Sequence, residues 1–90
     1  LGPLDLDGIT AIGLDEFAIQ KGHRYATVIV EPNRKRVLWV GRGRGREDIR
    51  PFFELLGAER CARLEAAVMD MNAGYQLEVQ QHSPNAAIVF

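Results

Sequence analysis

The sequence has little cysteine and no long apolar run. Its single cysteine, Cys61, cannot form an internal disulfide, which fits a reduced, intracellular setting. The apolar runs are a few residues long, whereas a membrane-spanning helix needs about 20 residues. No basic segment followed by an apolar stretch opens the chain, so no export signal is evident. These absences predict a cytoplasmic protein without a membrane partner.

An excess of charge of either sign is also absent. Eleven basic and twelve acidic side chains give a formal net charge of −1, which does not indicate a nucleic-acid-binding protein. Any contact with DNA would have to come from local patches or from sequence outside these residues. The length is enough for one small domain, so we predict a single domain over residues 1–90. Because the chain starts without methionine and stops within the apolar run AAIVF, we expect it to be part of a longer protein.

Three segments of the first half have the composition of strands. The segment ITAIGLDEFAI, residues 9–19, is apolar on both alternating faces, which is typical of a central strand covered on both sides. After a turn at Gly22, residues 25–31 (YATVIVE) are rich in β-branched side chains. A second turn at Pro32 precedes a third strand at residues 36–40 (RVLWV). The pattern predicts three consecutive antiparallel strands.

The apolar period then changes to that of a helix. Four large apolar side chains fall on one helical face: Ile49, Phe52, Phe53 and Leu56. Asp48 is the predicted N-cap, which places Pro51 in the first turn, where its missing N–H is harmless. Gly57 is predicted to end the helix.

The second half continues the alternation of helices and strands. A short helical turn at residues 58–64 precedes a fourth strand at 66–71, and a helix at 75–82 precedes a fifth strand at 86–90. The predicted fold is α/β, with a mixed five-stranded sheet in the order β-β-β-α-β-α-β. Because a strand that returns through a helix is normally parallel to its neighbour, the fourth strand can lie beside the first.

Two aspartates become neighbours in this arrangement. Asp15 lies within the first strand and Asp70 at the end of the fourth. Adjacent strands lie about 4.8 Å apart, so two carboxylates on one face could bind the same divalent ion. Oxygen ligands favour magnesium or manganese over zinc, and two such ions support phosphodiester chemistry. By composition and spacing alone, however, ion-paired or solvated aspartates are the more common explanation.

A family resemblance favours the metal interpretation. The segments IGLDEFAIQKGHRYATVIVE, RVLWVGRGR, FFELLGAERCARLEAAVMDM and PNAAIVF resemble the first part of the DDE domain of bacterial insertion-sequence transposases of the IS-L-three family. The resemblance runs from about residue 12 to residue 90 without large gaps. It implies a truncated ribonuclease-H-like fold in which Asp15 and Asp70 are catalytic and hold Mg²⁺ or Mn²⁺ in a two-metal site. It further implies DNA strand cleavage and transfer, with transposon ends and target DNA as partners.

The chain also departs from the family. The family's third catalytic carboxylate is a glutamate well downstream, and the zinc-ribbon and helix-turn-helix regions lie upstream; this sequence contains none of them. We therefore predict that the chain is inactive alone. Whether it forms a homo-oligomer is left open.

Other functions share parts of the pattern. A ribonuclease-H-like nuclease or junction resolvase would have the same topology and both aspartates. A non-catalytic interaction module would use them only as structural residues. An actin-like ATP-binding domain is disfavoured, because Glu16 and Phe17 stand where a glycine-rich phosphate turn would follow Asp15.

Several further residues have more ordinary explanations. Glu16 points away from the face of Asp15, so we expect a structural ion pair. His23 and Arg24 either contact phosphate or lie in a solvated turn. The basic segments at 34–36 and 41–46 could hold a DNA backbone, although exposed loops are the simpler expectation. The remaining candidates are expected to pack in or near the core or to end a helix: Trp39, Cys61 and His82.

Overall fold

The protein forms a five-stranded mixed sheet with three helices. The computed structural model describes residues 6–20 and 24–90, so the predicted turn at Gly22 lies outside the described residues. The elements are β1 (Ala11–Gln20), β2 (Arg24–Glu31), β3 (Arg36–Arg42), α1 (Arg46–Leu56), α2 (Ala58–Arg63), β4 (Ala66–Met69), α3 (Ala73–His82) and β5 (Ala87–Val89). The predicted order is confirmed, and the expected short helical turn is α2.

The strands lie in the order β3-β2-β1-β4-β5. β1, β2 and β3 are antiparallel neighbours, whereas β4 is parallel to β1 and β5 is parallel to β4. The parallel strands are reached through helices, as such connections require. The structure therefore confirms that the fourth strand lies beside the first.

One face of the sheet and the helices share a single core. Alternate residues of β1, Ile12 and Leu14, point into it and are at most 4% exposed. The helical contribution is the apolar face of α1 together with Leu64 and residues of α3, and the α1 members are Ile49, Phe52, Phe53 and Leu56. Burying each such side chain stabilises the fold by about 1.5 to 3 kcal/mol. The periodicity of α1 thus identifies its buried face correctly.

The other face of the sheet, here called the open face, is not covered by any described element. Phe17, Val40 and Val68 are 47%, 58% and 44% exposed, although they belong to three different strands. The expectation that β1 is covered on both sides is wrong for the described residues. Apolar residues on both faces of β1 therefore do not by themselves show that both faces are buried here.

The start of α1 differs from the prediction. Gly45, not Asp48, is the N-cap, and Asp48 lies inside the first turn. There its carboxylate accepts a hydrogen bond from the Gly45 N–H at 2.9 Å. A residue inside the helix thus satisfies a backbone donor that has no partner within the helix itself. Pro51 consequently falls beyond the first turn, inside the helix. Gly57 ends the helix with a φ of 86°, as predicted.

The ends of the other elements also shift by one or two residues, and β3 extends to Arg42. β4 ends at Met69, so Asp70 follows the strand instead of lying within it. α3 begins at Ala73, two residues earlier than expected, because Asn72 caps it. β5 is shortened to Ala87–Val89.

Two predicted core residues pack as expected. Trp39 lies against Phe52 of α1, with ring centroids 6.4 Å apart. Cys61 is 2% exposed, and its thiol donates to the Phe53 carbonyl oxygen at 3.6 Å. Burial raises the pKa of this thiol, which opposes formation of the thiolate. Cys61 is therefore a packing residue.

A buried carboxylate joins α3 to α1. Glu78 is fully buried and accepts hydrogen bonds from Arg46 Nε at 2.7 Å and Arg50 Nε at 2.8 Å. His82 Nε2 lies 2.7 Å from the same carboxylate, and its ring stacks on Phe53. The hydrogen bond from Arg50 is the main cause that lowers the pKa of Glu78 from its ordinary 4.5 to about 2. His82 thus has a structural role as a partner of the buried Glu78.

We expect Glu78→Gln to destabilise the protein by about 2 kcal/mol near neutral pH, because hydrogen bonds to a charged acceptor are lost. The pKa of Glu78 is lower in the folded protein, so its stabilisation is complete above about pH 5 and disappears as the pH falls toward about 2. Urea unfolding of both proteins from pH 7 to pH 2.5 should show the difference shrinking on acidification.

Glu54→Gln is the matched control, since Glu54 is an exposed glutamate of α1. It should leave stability near the wild-type value. A Glu78→Gln difference that stays constant down to pH 2.5 would contradict the assignment.

Candidate active site

The parallel pairing of β1 and β4 brings the two predicted aspartates together. Leu14 pairs with Met69 in a continuous register, and the next position of that register aligns Asp15 with Asp70. Both flanking residues, Leu14 and Met69, point into the core. Because side chains alternate along a strand, Asp15 projects to the open face. Asp70 directly follows β4 and lines the same depression as Asp15. The structure therefore places Asp15 and Asp70 side by side.

The surroundings of the pair are open and largely apolar. Both aspartates are exposed, and they line a shared depression of about 320 Å³ with Gly13, Val68 and Phe90. Asp15 Oδ1 accepts the Glu16 backbone N–H at 2.9 Å. No ion pair joins either aspartate to another described residue. Neither carboxylate is therefore held by a salt bridge to a residue within 6–20 or 24–90.

Two carboxylates without an ion pair to any described residue line one depression, and they match the hard oxygen ligands that magnesium and manganese prefer. Within the described part of the chain, no group of three or more His, Cys, Asp or Glu side chains is arranged to hold a metal ion. Glu16 is exposed on the other side of β1, and its predicted ion pair does not form with any described residue. Among the described residues, Asp15 and Asp70 are the two carboxylates that line this depression.

The loop that follows Asp70 is fixed by Asn72. The Asn72 Oδ1 accepts the Tyr75 backbone N–H at 3.1 Å, which caps α3. Its Nδ2 donates to the Arg44 carbonyl oxygen at 3.3 Å, so the same side chain holds the loop between β3 and α1. Asn72 thereby ties the loop after β4 to the loop after β3.

A buried hydroxyl relay supports the same two loops. Thr27 Oγ1 donates to the Gly43 carbonyl oxygen at 2.7 Å and lies 2.5 Å from the Tyr75 hydroxyl oxygen. Since the Thr27 proton is used for Gly43, the Tyr75 hydroxyl donates to Thr27. Burial is the main cause that raises the pKa of Tyr75, and the charges of Glu16 and Asp15 raise it further. The tyrosine therefore stays a neutral donor.

The loop position whose carbonyl oxygen accepts the Thr27 hydrogen bond requires a glycine, Gly43. Its φ of 91° lies in the left-handed region, which side chains disfavour. A Cβ at this position would also lie 2.3 Å from the carboxylate carbon of Asp48. Only glycine allows the loop to pass this close to the first turn of α1.

The basic candidates separate into paired and unpaired side chains. Arg36 Nε donates to the buried Glu31 at 2.6 Å, and Arg34 lies 3.5 Å from the same carboxylate. The 34–36 segment is thus partly engaged at the hairpin between β2 and β3. Arg24, in contrast, is exposed at the start of β2. His23 lies outside the described residues.

The sequence pattern indicates the two aspartates but not the residues that hold the loops around them. Asn72 carries a usable signal, because an asparagine directly before a helical segment is a typical N-cap. Thr27 carries none, since a threonine is an ordinary residue in a strand. Its role depends on contacts with residues 16 and 48 positions away in the chain.

The mixed sheet, the parallel β1–β4 pair and the acidic positions define an α/β domain of the ribonuclease-H-like class, in truncated form. A profile described as Transposase, of the DDE type and the IS-L-three kind, matches residues 12–90. The chain belongs to this transposase family.

Two curated relatives agree with the family assignment. The transposase for insertion sequence element IS1001 of Bordetella parapertussis is 50% identical over 86 residues, which are 96% of this chain and 21% of the relative. The transposase for insertion sequence element IS1557 of Mycobacterium tuberculosis is 33% identical over 75 residues, or 83% of this chain and 17% of the relative. The chain therefore spans about a fifth of the length of these relatives.

The relay leads to a prediction about stability. Thr27→Val keeps the shape but leaves both the Tyr75 hydroxyl and the Gly43 carbonyl without their buried partner. We expect a loss of about 1 to 3 kcal/mol in the free energy of unfolding, measured by urea denaturation.

Thr10→Val is the matched control at a partly exposed threonine, and it should change stability by less than about 0.5 kcal/mol. Equal effects of the two substitutions would contradict the relay.

Proposed function

We propose that this chain supplies two of the catalytic carboxylates of a transposase that cleaves and joins DNA. The observation that carries the proposal is the register of β1 and β4, which aligns Asp15 with Asp70 on the open face. The family assignment supports the reaction, because both aspartates lie within the matched residues. Asp15 and Asp70 are accordingly the proposed catalytic and metal-binding residues.

Asp15 and Asp70 would hold Mg²⁺ or Mn²⁺ between them. Such ions, when bound, lower the pKa of a water or hydroxyl nucleophile and stabilise the leaving oxygen in phosphodiester chemistry. The protein's part is to keep two anionic ligands unpaired and aligned. The buried Leu14 and Met69, which flank the pair, fix the strands that carry them.

The proposal also covers what the chain does alone. Two carboxylates leave much of a metal ion's coordination to water, so affinity should be low. Because the described residues contain no third acidic ligand at the site, we propose that these 90 residues do not cut or join DNA by themselves. DNA is the proposed partner of the whole protein, in the cytoplasm.

The alternatives are less well supported. A nuclease or junction resolvase would share the acidic pair, but the matching profile and both relatives are transposases. An interaction module in which the aspartates are structural predicts ion pairs, and none forms with a described residue. No helix within the described residues is long and apolar enough to cross a membrane.

We expect Asp15→Asn and Asp70→Asn each to weaken Mn²⁺ binding about tenfold or more, because each removes one of two anionic ligands. Water-proton relaxation titrations measure such weak binding directly. Circular dichroism should show an unchanged fold, since both side chains are exposed and unpaired.

Glu16→Gln provides the control, because it removes the same charge from the adjacent residue on the other face. It should change Mn²⁺ affinity less than about twofold. If all three variants bind Mn²⁺ like the wild type, the proposed site is wrong.

A further inference from the structure

Most arginines of the described chain are engaged by carboxylates. Glu31 holds Arg34 and Arg36, and Glu78 holds Arg46 and Arg50. A further pair joins Arg60 to Asp7. Arg36, Arg46 and Arg50 thus already donate hydrogen bonds to a buried carboxylate.

Arg42 and Arg44 are different. Both are exposed, and neither forms an ion pair with a described residue. Arg44 instead lies over the ring of Tyr25, with its guanidinium carbon 3.7 Å from the ring centroid. This contact orients the guanidinium without neutralising its charge. Residues 42–45, here called the arginine segment, thus carry two available positive charges.

The arginine segment lies at the end of the sheet that carries the aspartates. Phe17 pairs with Ala26, and Ala26 pairs with Arg42, so Arg42 shares the open face with Phe17 and Asp15. Tyr25 is the neighbour of Ala26 in β2, so Arg44, which lies on the Tyr25 ring, is at the opposite face of the same end of the sheet. Arg42 lies on β3, two strands away from Asp15, and it is level with Phe17, two residues after Asp15 on β1. Strand spacing then puts the Cα atoms of Arg42 and Asp15 about 12 Å apart.

The backbone of the arginine segment is held in place at several points. The Gly43 N–H donates to the Tyr25 carbonyl oxygen at 2.7 Å. The Gly43 carbonyl accepts from Thr27, and the Arg44 carbonyl accepts from Asn72. The last contact comes from the loop that also carries Asp70. One direct hydrogen bond therefore connects the arginine segment to the loop that carries Asp70.

We propose that Arg42 and Arg44 bind backbone phosphates of the DNA that the aspartate pair acts on. The proposal rests on the proposed function and extends it to two positioning residues. Arginines that contact phosphates add affinity without reading base sequence. Arg42 would therefore contact the DNA strand on the face of Asp15 and Asp70, and Arg44 would contact it at the end of the sheet, regardless of the DNA sequence.

The test compares two double variants of the 90-residue chain that remove equal charge. Arg42→Gln with Arg44→Gln alters the arginine segment. Lys35→Gln with Arg63→Gln alters two exposed basic residues at the opposite end of the strands. A fluorescent DNA duplex is titrated with each protein in EDTA at several low salt concentrations, and anisotropy reports binding.

The arginine-segment variant should bind the duplex about tenfold more weakly, and its slope of log affinity against log salt should fall by about two. The Lys35/Arg63 variant should stay close to the wild type. Equal losses in both variants, no loss in the arginine-segment variant, or no binding by the wild type at low salt would each overturn the proposal.

Mn²⁺ binding separates this proposal from the proposed function. The arginine-segment variant should keep wild-type Mn²⁺ affinity, whereas Asp15→Asn should lose it. If Asp15→Asn loses Mn²⁺ but the arginine variant binds DNA normally, only the phosphate contact is wrong. Should the double variant fail to fold, Arg42→Gln alone serves, with an expected slope change of about one.

Discussion

The parallel pairing of β1 with β4 is the constraint on which the site depends. Its register aligns Asp15 with Asp70, and a shift by one residue would send one of the two carboxylates to the core face. Ile12 and Leu14 of β1 and Ala67 and Met69 of β4 are buried under the helices, which fixes that register. The core of the domain thus determines where its exposed carboxylates lie.

A second set of contacts holds the loops around the pair. The buried Glu78 joins α3 to α1 through two arginines, so the N-terminal half of α1 keeps its position against α3. Asn72 and the Tyr75–Thr27 relay then connect the loop after Asp70 with the arginine segment. Polar groups that are buried and fully paired favour one arrangement of the loops over others.

The sequence predicts the larger elements and the acidic pair, because both depend on local patterns. The helical spacing of Ile49, Phe52, Phe53 and Leu56 identifies the buried face of α1, and the α-helical connections predict a parallel β4. The predicted N-cap of α1 is wrong, because an aspartate can accept a backbone N–H either as the N-cap itself or from within the first turn. Only the geometry of the preceding loop shows which of the two roles Asp48 has. Glu78 and Thr27 could not be recognised, because their partners lie far away in the chain. The uncovered open face could not be recognised either. A pattern of apolar side chains along a strand does not show which other surface covers them.

The central claim is that one divalent ion binds to both aspartates at once. The most direct measurement is a ¹⁵N spectrum of the wild-type chain with small additions of Mn²⁺, which broadens the amides nearest to the ion. The account predicts that amides of the segments around Asp15 and Asp70 broaden together, before those of other acidic residues. Broadening around only one of the two aspartates, or first around Glu47 and Asp48 at the start of α1, would contradict it.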